Sequence, residues 1–135
     1  MKFPDWLKVY GDLKYRGHTP TEREEQITVF NKIRRDYPSL SKIAMHVRNE
    51  GKKTPQAVMR EKAEGMVSGA ADIVIPARQT FICELKKQDH TKSRWQPLQL
   101  EYLEACHNAG AFVCVALGHA AAMEALKEWN ATRTT

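Results

Sequence analysis

Two short apolar runs in the middle of the chain, ADIVIP (71–76) and TFICELK (80–86), carry charge at their ends. Asp72 opens the first, and Glu84 and Lys86 close the second. β-Branched runs of this length, bounded by turn residues, are expected to be buried strands. An ionised side chain in such a place is costly unless it is paired or bound to something. A turn near Ala77–Gln79 makes the pair a hairpin. Side chains two apart on a strand share a face. Glu84 and Lys86 therefore point together, while Phe81, Cys83 and Leu85 point the other way into apolar packing. Asp72 and Glu84 can then approach from adjacent strands. Two such carboxylates can hold a hard divalent ion such as Mg2+, which prefers oxygen ligands and keeps several waters. Lys86 could orient or deprotonate an attacking water, or neutralise charge building on a phosphate. The competing reading is a Glu84–Lys86 pair at a solvated strand end, with Asp72 capping a turn.

The chain has 135 residues, enough for one domain with a real core. No apolar stretch approaches the ~20 residues that span a bilayer, and the start MKFPDWLKVYGDLK is too charged for a signal peptide. A soluble cytoplasmic protein with no membrane association is expected, in the host cell cytoplasm if the gene is carried by a phage. Cys83, Cys106 and Cys114 are odd in number and lack CxxC spacing, so buried free thiols are expected rather than disulfides or a zinc ribbon. The net charge of +5 is unevenly placed: residues 31–62 hold nine Lys/Arg against three acidic residues. The segment 86–94 adds further positive charge. Clustered basic charge suggests a polyanion partner, nucleic acid being the commonest; a solvated basic surface is the alternative.

Residues 1–20 mix aromatics with Gly, Pro and Lys without a clean period. They form an N-terminal arm that could pack on the body, contact a second copy, or touch DNA. Residues 21–135 form the domain proper. Thr21 and Glu24 make a capping box for a helix to about Asp36, with Ile27, Phe30 and Ile33 as its apolar stripe. Residues 43–48 alternate like a strand, and Asn49-Glu50-Gly51 reads as a turn. A second helix is expected from Pro55 to about Glu64, capped by Gly65. After the hairpin come a helix from Trp95 to about Asn108, a buried strand AFVCVAL, and a closing helix from His119 to Trp129. Small residues before Asp72 (Gly65, Gly69, Ala70, Ala71) let a phosphate or another backbone come close. Gln99, early on its helix, could orient a water or hold a ligand. None of the five histidines (His18, His46, His90, His107, His119) shows metal-ligand spacing.

The runs HVRNEGKKT, EGMVSGAADIVIP, FICELK and PLQLEYLEACHNAGAFVCVALG together resemble the VRR-NUC family, a branch of the PD-(D/E)XK nuclease superfamily common as stand-alone phage and prophage proteins. The resemblance spans roughly residues 21–129. It implies an α/β, restriction-endonuclease-like core, with a central mixed sheet of about four strands flanked by helices. It also implies a metal-dependent DNA endonuclease that hydrolyses phosphodiester bonds with Mg2+ or Mn2+. By position, Asp72 and Glu84 resemble the metal ligands, Lys86 the catalytic lysine, and Gln99 the helix glutamine of the active-site set. The superfamily often adds a first-helix glutamate, for which Glu22 is the choice and Glu25 the close alternative. Ala71 stands where the family often has proline, a backbone preference without a chemical role. Backbone contacts to DNA would fall to Arg48, Asn49, Lys52, Lys53, Lys87, Lys92 and Arg94. Such contacts carry little sequence information, so structure-selective cutting is expected. The resemblance extends to junction resolvases, which implies a homodimer cutting branched DNA, the Holliday junction above all. A nuclease for flaps, nicks or single-stranded ends is the alternative, as is a non-catalytic nucleic-acid-binding module on the same fold.

Overall fold

The computed structural model describes residues 1–47 and 53–133. The expected N-E-G turn, with Arg48, Asn49 and Lys52, lies outside the described residues. Helix α1 (Glu22–Asp36) starts where expected. The Thr21 hydroxyl accepts from the Glu24 N–H, and the Glu24 carboxylate accepts from the Thr21 N–H. A short turn of helix, α2 (Pro38–Ser41), follows, and then α3 (Pro55–Ala63). The hairpin consists of β2 (Ile73–Ile75) and β3 (Phe81–Lys86). Beyond it come α4 (Gln99–Asn108), β4 (Phe112–Leu117) and α5 (His119–Arg133). An earlier strand, β1 (Lys8–Tyr10), comes from the N-terminal arm.

The four strands form one mixed sheet in the order β1-β4-β3-β2. β1 runs parallel to β4, β4 parallel to β3, and β2 antiparallel to β3. The two central strands are buried along their whole length, as their unbroken apolar runs require. One face carries Phe81, Cys83 and Leu85 of β3 with Cys114 and Ala116 of β4. It packs against Val29 and Ile33 of α1 and against Ala122, Leu126 and Trp129 of α5. The other face carries Ile82, Val113 and Val115 and packs against Leu103 of α4 and Leu7 of the arm. The result is the expected α/β layering with helices on both sides of the sheet. Cys83 and Cys114 are buried register partners, and the adjacent Cys114 sulfur together with burial pushes the Cys83 thiol up, so it stays protonated. No helix among the described residues is long and apolar enough to cross a membrane.

Three local expectations are corrected. Of the strand expected over 43–48, the described residues 43–47 show a single bridge, in which Met45 and Val74 exchange both backbone hydrogen bonds. Ile43 and Met45 stay exposed, so nothing apolar pulls that segment further into the sheet; the fourth strand comes from the arm instead. The buried face of α1 is Glu25, Val29 and Ile33, at i,i+4 spacing, and it leaves Ile27 exposed. Helix α4 begins at Gln99 and not at Trp95, because Pro97 offers no N–H and disfavours helix in the residue before it.

A buried glutamate on the α1 core face requires a partner, and Glu25 finds it at the start of α5. Its Oε2 accepts from the His119 backbone N–H, and His119 Nδ1 lies 3.1 Å away. The carboxylate thus satisfies a first-turn donor at the positive end of the helix. Glu25→Ala is expected to cost about 1–3 kcal/mol of stability in urea denaturation, since it removes a cap and orphans a buried N–H. A variant as stable as the parent would show that the α5 terminus is satisfied some other way.

Candidate active site

The β2–β3 register sets the geometry. Ile73 faces Cys83, so one further step out along the ladder puts Asp72 opposite Glu84. Opposed residues on antiparallel strands hold their Cβ atoms about 4.5–5.5 Å apart, within reach of a shared ligand. Asp72 Oδ2 accepts from the Leu85 N–H at 2.8 Å, which fixes the carboxylate against β3. Glu84 is 1% exposed, and its Oε2 has no hydrogen-bond partner among the described residues. Burial, first, and the neighbouring Asp72 charge raise its carboxyl well above the usual carboxylate range. The nearness of the Asp72 carboxylate as an acceptor for a protonated Glu84 and the charge of Glu22 push the same way, while Lys86 opposes them.

Lys86 is equally buried and lies on the same face as Glu84. Its Nζ donates to the Arg94 carbonyl at 2.9 Å and to Gln99 Oε1 at 3.0 Å. The Trp95 ring centroid lies 5.3 Å from the ammonium, a cation–π distance. Gln99 Oε1 also accepts from the Gln96 N–H at 2.8 Å, so the side chain bridges the loop before α4 and the lysine. The amide expected to serve a ligand thus first holds Lys86 in place.

A cavity of about 610 Å³ opens beside these groups. Glu22, His46, Gly69, Asp72 and Gln99 are among its lining residues. Glu84 and Lys86 are buried and do not form part of its surface. Glu25, committed to α5, is not on this wall, whereas Glu22 is. Ser93 Oγ donates to Glu22 Oε2 at 2.8 Å and accepts from the Lys87 N–H at 3.0 Å. A second cavity of about 530 Å³ shares Glu22 and Gln96 with the first and is lined by Lys87, Lys92 and Arg94. The structure therefore brings Lys87, Lys92 and Arg94 beside Glu22. Lys53 lies in an ion pair with Glu61 of α3 at 2.5 Å.

Sequence reading missed Ser93 and Gln96. It set His46 aside, yet His46 lines the cavity, with Nδ1 2.8 Å from the Asp72 carbonyl. Only the proximity of Ser93, Arg94 and Trp95 to Lys86 in sequence hinted at their part. Their contacts depend on how an irregular loop folds back.

No group of three or more His, Cys, Asp or Glu side chains stands preassembled as a metal cluster among the described residues. The donor chemistry present fits a hard divalent ion all the same. Asp72 and Glu84 supply facing carboxylates, and Glu84 Oε2 is a buried oxygen that an ion would satisfy. Neutralising it would also remove the repulsion that now raises its proton affinity.

Gly69 explains the small residues ahead of Asp72. Its φ is +78°, and a Cβ there would lie 2.5 Å from the carbonyl carbon and oxygen of Leu98 and 2.8 Å from the Gln99 nitrogen. The close approach is to another backbone, the start of α4. Leu98 itself has φ +71°, a sparsely populated conformation for a branched residue. The two segments that present Asp72 and Gln99 are thus pressed together at a strained junction.

The chain matches no family model, and no curated protein matches it in sequence. A solved structure described as a VRR_NUC domain protein superposes with a TM-score of 0.66 at 24% sequence identity. The match covers 84% of this chain and 89% of the other. The fold expected from the sequence resemblance is therefore found, over most of the chain.

Gly69→Ala and Gly65→Ala separate the two demands placed on these glycines. Both have positive φ, but a Cβ at Gly65 would meet nothing within 4 Å. Both substitutions should cost about 1 kcal/mol of backbone strain. Gly69→Ala should cost about 1–3 kcal/mol more, from the clash with Leu98 and Gln99. Equal losses in denaturant titrations would remove the close approach as the reason for Gly69.

Proposed function

We propose that this chain is a metal-dependent deoxyribonuclease that hydrolyses phosphodiester bonds. The observation that carries the reading is the Asp72–Glu84 opposition, with Lys86 two residues on and held by Gln99. The fold shared with a VRR_NUC domain protein and the adjoining basic cavity support it.

Asp72 and Glu84 would hold Mg2+ or Mn2+, with Glu22, fixed by Ser93, as the third carboxylate. When bound, such an ion supplies Lewis-acid stabilisation of phosphate charge and a more acidic water. Lys86 places a cation beside the phosphate. An ammonium has three donors, and the Arg94 and Gln99 oxygens take two of them. The third would serve a phosphate oxygen or the attacking water once substrate and ion are seated, and the two fixed bonds would spare the side chain reorganisation during reaction. Gln99 positions Lys86. Lys87, Lys92 and Arg94 would bind the phosphates that flank the one attacked, with Arg48, Asn49, Lys52 and Lys53 adding contacts.

Resemblance to stand-alone family members and junction resolvases supports a homodimer acting on branched DNA, with two sites related by a two-fold axis. Flaps, nicks or single-stranded ends are the alternative substrates. A cleavage panel with Mg2+ and Mn2+ on junction, flap, nicked and linear DNA separates these readings. Unchanged DNA under every condition would leave a binding module on a nuclease fold.

Lys86→Ala should reduce cleavage by about 100-fold or more while leaving DNA affinity within about threefold, because the lysine acts on the reacting phosphate. A fully active variant would remove that role.

Glu84 gives a pH prediction. Its folded-state proton affinity is raised, so the folded protein holds this proton more tightly than the unfolded chain does. Its contribution to stability is therefore present below the ordinary carboxyl value of 4.5 and is lost as pH rises through the folded-state value. Without divalent ions, Glu84→Gln should match the parent near pH 4 and exceed its melting temperature by about 3–5 °C at alkaline pH. Added Mn2+ should narrow that gap by stabilising only the parent. A Gln variant that is less stable at every pH would show the buried carboxylate to be compensated already.

A further inference from the structure

The loop between β3 and α4 supplies most of what holds Lys86 and Glu22, yet little of it is regular structure. Arg94 gives a carbonyl, Trp95 a ring face and Ser93 a hydroxyl. Its internal order is a 3-10 turn at His90–Lys92 capped by Asp89 and the Ser93 bond to the Lys87 N–H, and further support reaches it from outside. That support comes from the N-terminal arm. The Trp95 indole N–H donates to the Lys2 carbonyl at 2.9 Å. The Phe3 ring meets Trp95 and His90 edge-on, with centroids at 6.1 and 5.6 Å. His90 Nε2 lies 3.2 Å from the Leu13 carbonyl. The Gly17 N–H donates to Asp89 at 3.1 Å, and Lys92 Nζ donates to the Gly17 carbonyl. The arm is itself anchored between these points, through buried Leu7 and the β1 pairing with β4.

We propose that residues 2–17 form a strap that positions Lys86, acting through Phe3 and Trp95 on the 89–95 loop. Trp95 is the central positioning residue. One edge of its indole is tied to the strap, and its face lies toward the lysine ammonium. At the basic cavity the strap meets Lys92 through the Gly17 carbonyl, whereas Phe3 and Lys2 meet Trp95, so a change at Phe3 acts on reaction rather than on binding. This inference rests on the nuclease reading for its kinetic consequence, but its structural consequence does not.

The test uses the full chain with Phe3→Ala, Trp95→Phe and Trp95→Ala, read by amide NMR and by cleavage kinetics. Phe3→Ala should raise hydrogen exchange at the Trp95 indole N–H by about tenfold or more and shift the Gln99 side-chain amide resonances. It should lower kcat by about tenfold with KM within about twofold, the signature of a misplaced reacting group. Trp95→Ala should lose at least as much. Trp95→Phe keeps a ring over the lysine and loses only the bond to Lys2, so it should restore most of kcat. Gln99 resonances unmoved in Phe3→Ala would overturn the strap. So would a raised KM at unchanged kcat, which would mean that the arm binds DNA directly. Should Phe3→Ala fail to fold, Phe3→Leu, which keeps the apolar contact but not the ring edge, takes its place, and unmoved Gln99 resonances there would likewise overturn the strap. Should the parent cut no DNA, the nuclease reading falls, and the resonance shifts still decide whether the strap holds the Lys86 environment.

Discussion

The molecule is organised around one unfavourable interaction: two carboxylates facing each other across a strand pair, one of them buried. Hydrophobic burial drives β3 to the centre of the sheet, and strand alternation then carries Glu84 and Lys86 inward with Ile82. The hairpin register places Asp72 opposite Glu84. Left to itself, this arrangement raises the proton affinity of Glu84 and leaves Oε2 without a partner. A fold keeps such a cost where something else relieves it, and facing oxygen donors are suited to a hard cation. Much of the surrounding structure keeps the two groups from relaxing apart. The Leu85 N–H holds Asp72, the Gly69–Leu98 junction presses the flanking loops together, and Gln99 fixes Lys86 beside them.

The hairpin was legible because its signals are local. Alternation, turn residues and β-branched runs act over a few residues, and they fixed Glu84 and Lys86 to one face and Cys83 to the other. The capping box at Thr21 and Glu24 is equally local, and helix α1 began there. Features that depend on tertiary choice were not legible. Residues 43–47 alternate as well as any strand, but strands form where an apolar face can be buried, and Ile43 and Met45 found none. Lys8–Tyr10 showed no clean period, yet it became an edge strand because β4 offered an unpaired edge there. Glu25 looked much like Glu22 in sequence. Only the arrival of α5 against α1, from nearly a hundred residues further on, separates a helix cap from a cavity-wall carboxylate.

The loop before α4 shows why candidate sites are harder to read than folds. Its residues contribute a carbonyl, a ring face and a hydroxyl, groups that many sequences could supply. Their value lies in where the loop is held. The trio Asp72, Glu84 and Lys86 announces itself by being charged in an apolar context. Ser93, Gln96 and Trp95 carry no such contrast, although the placement of Glu22 and Lys86 involves them.

The pairing of β1 with β4 has a consequence for how the protein comes into being. Lys8 and Cys114 are register partners, more than a hundred residues apart in the chain. Closing so long a loop carries a large entropic cost, and it can be met only after β4 has been made and placed. The hairpin relies on nearby contacts and can form earlier. During synthesis the chain would therefore assemble its acidic centre well before the N-terminal segment docks across the β3–α4 loop. The contact that steadies the lysine forms late, so the order of folding would itself delay competence until the whole sheet is complete.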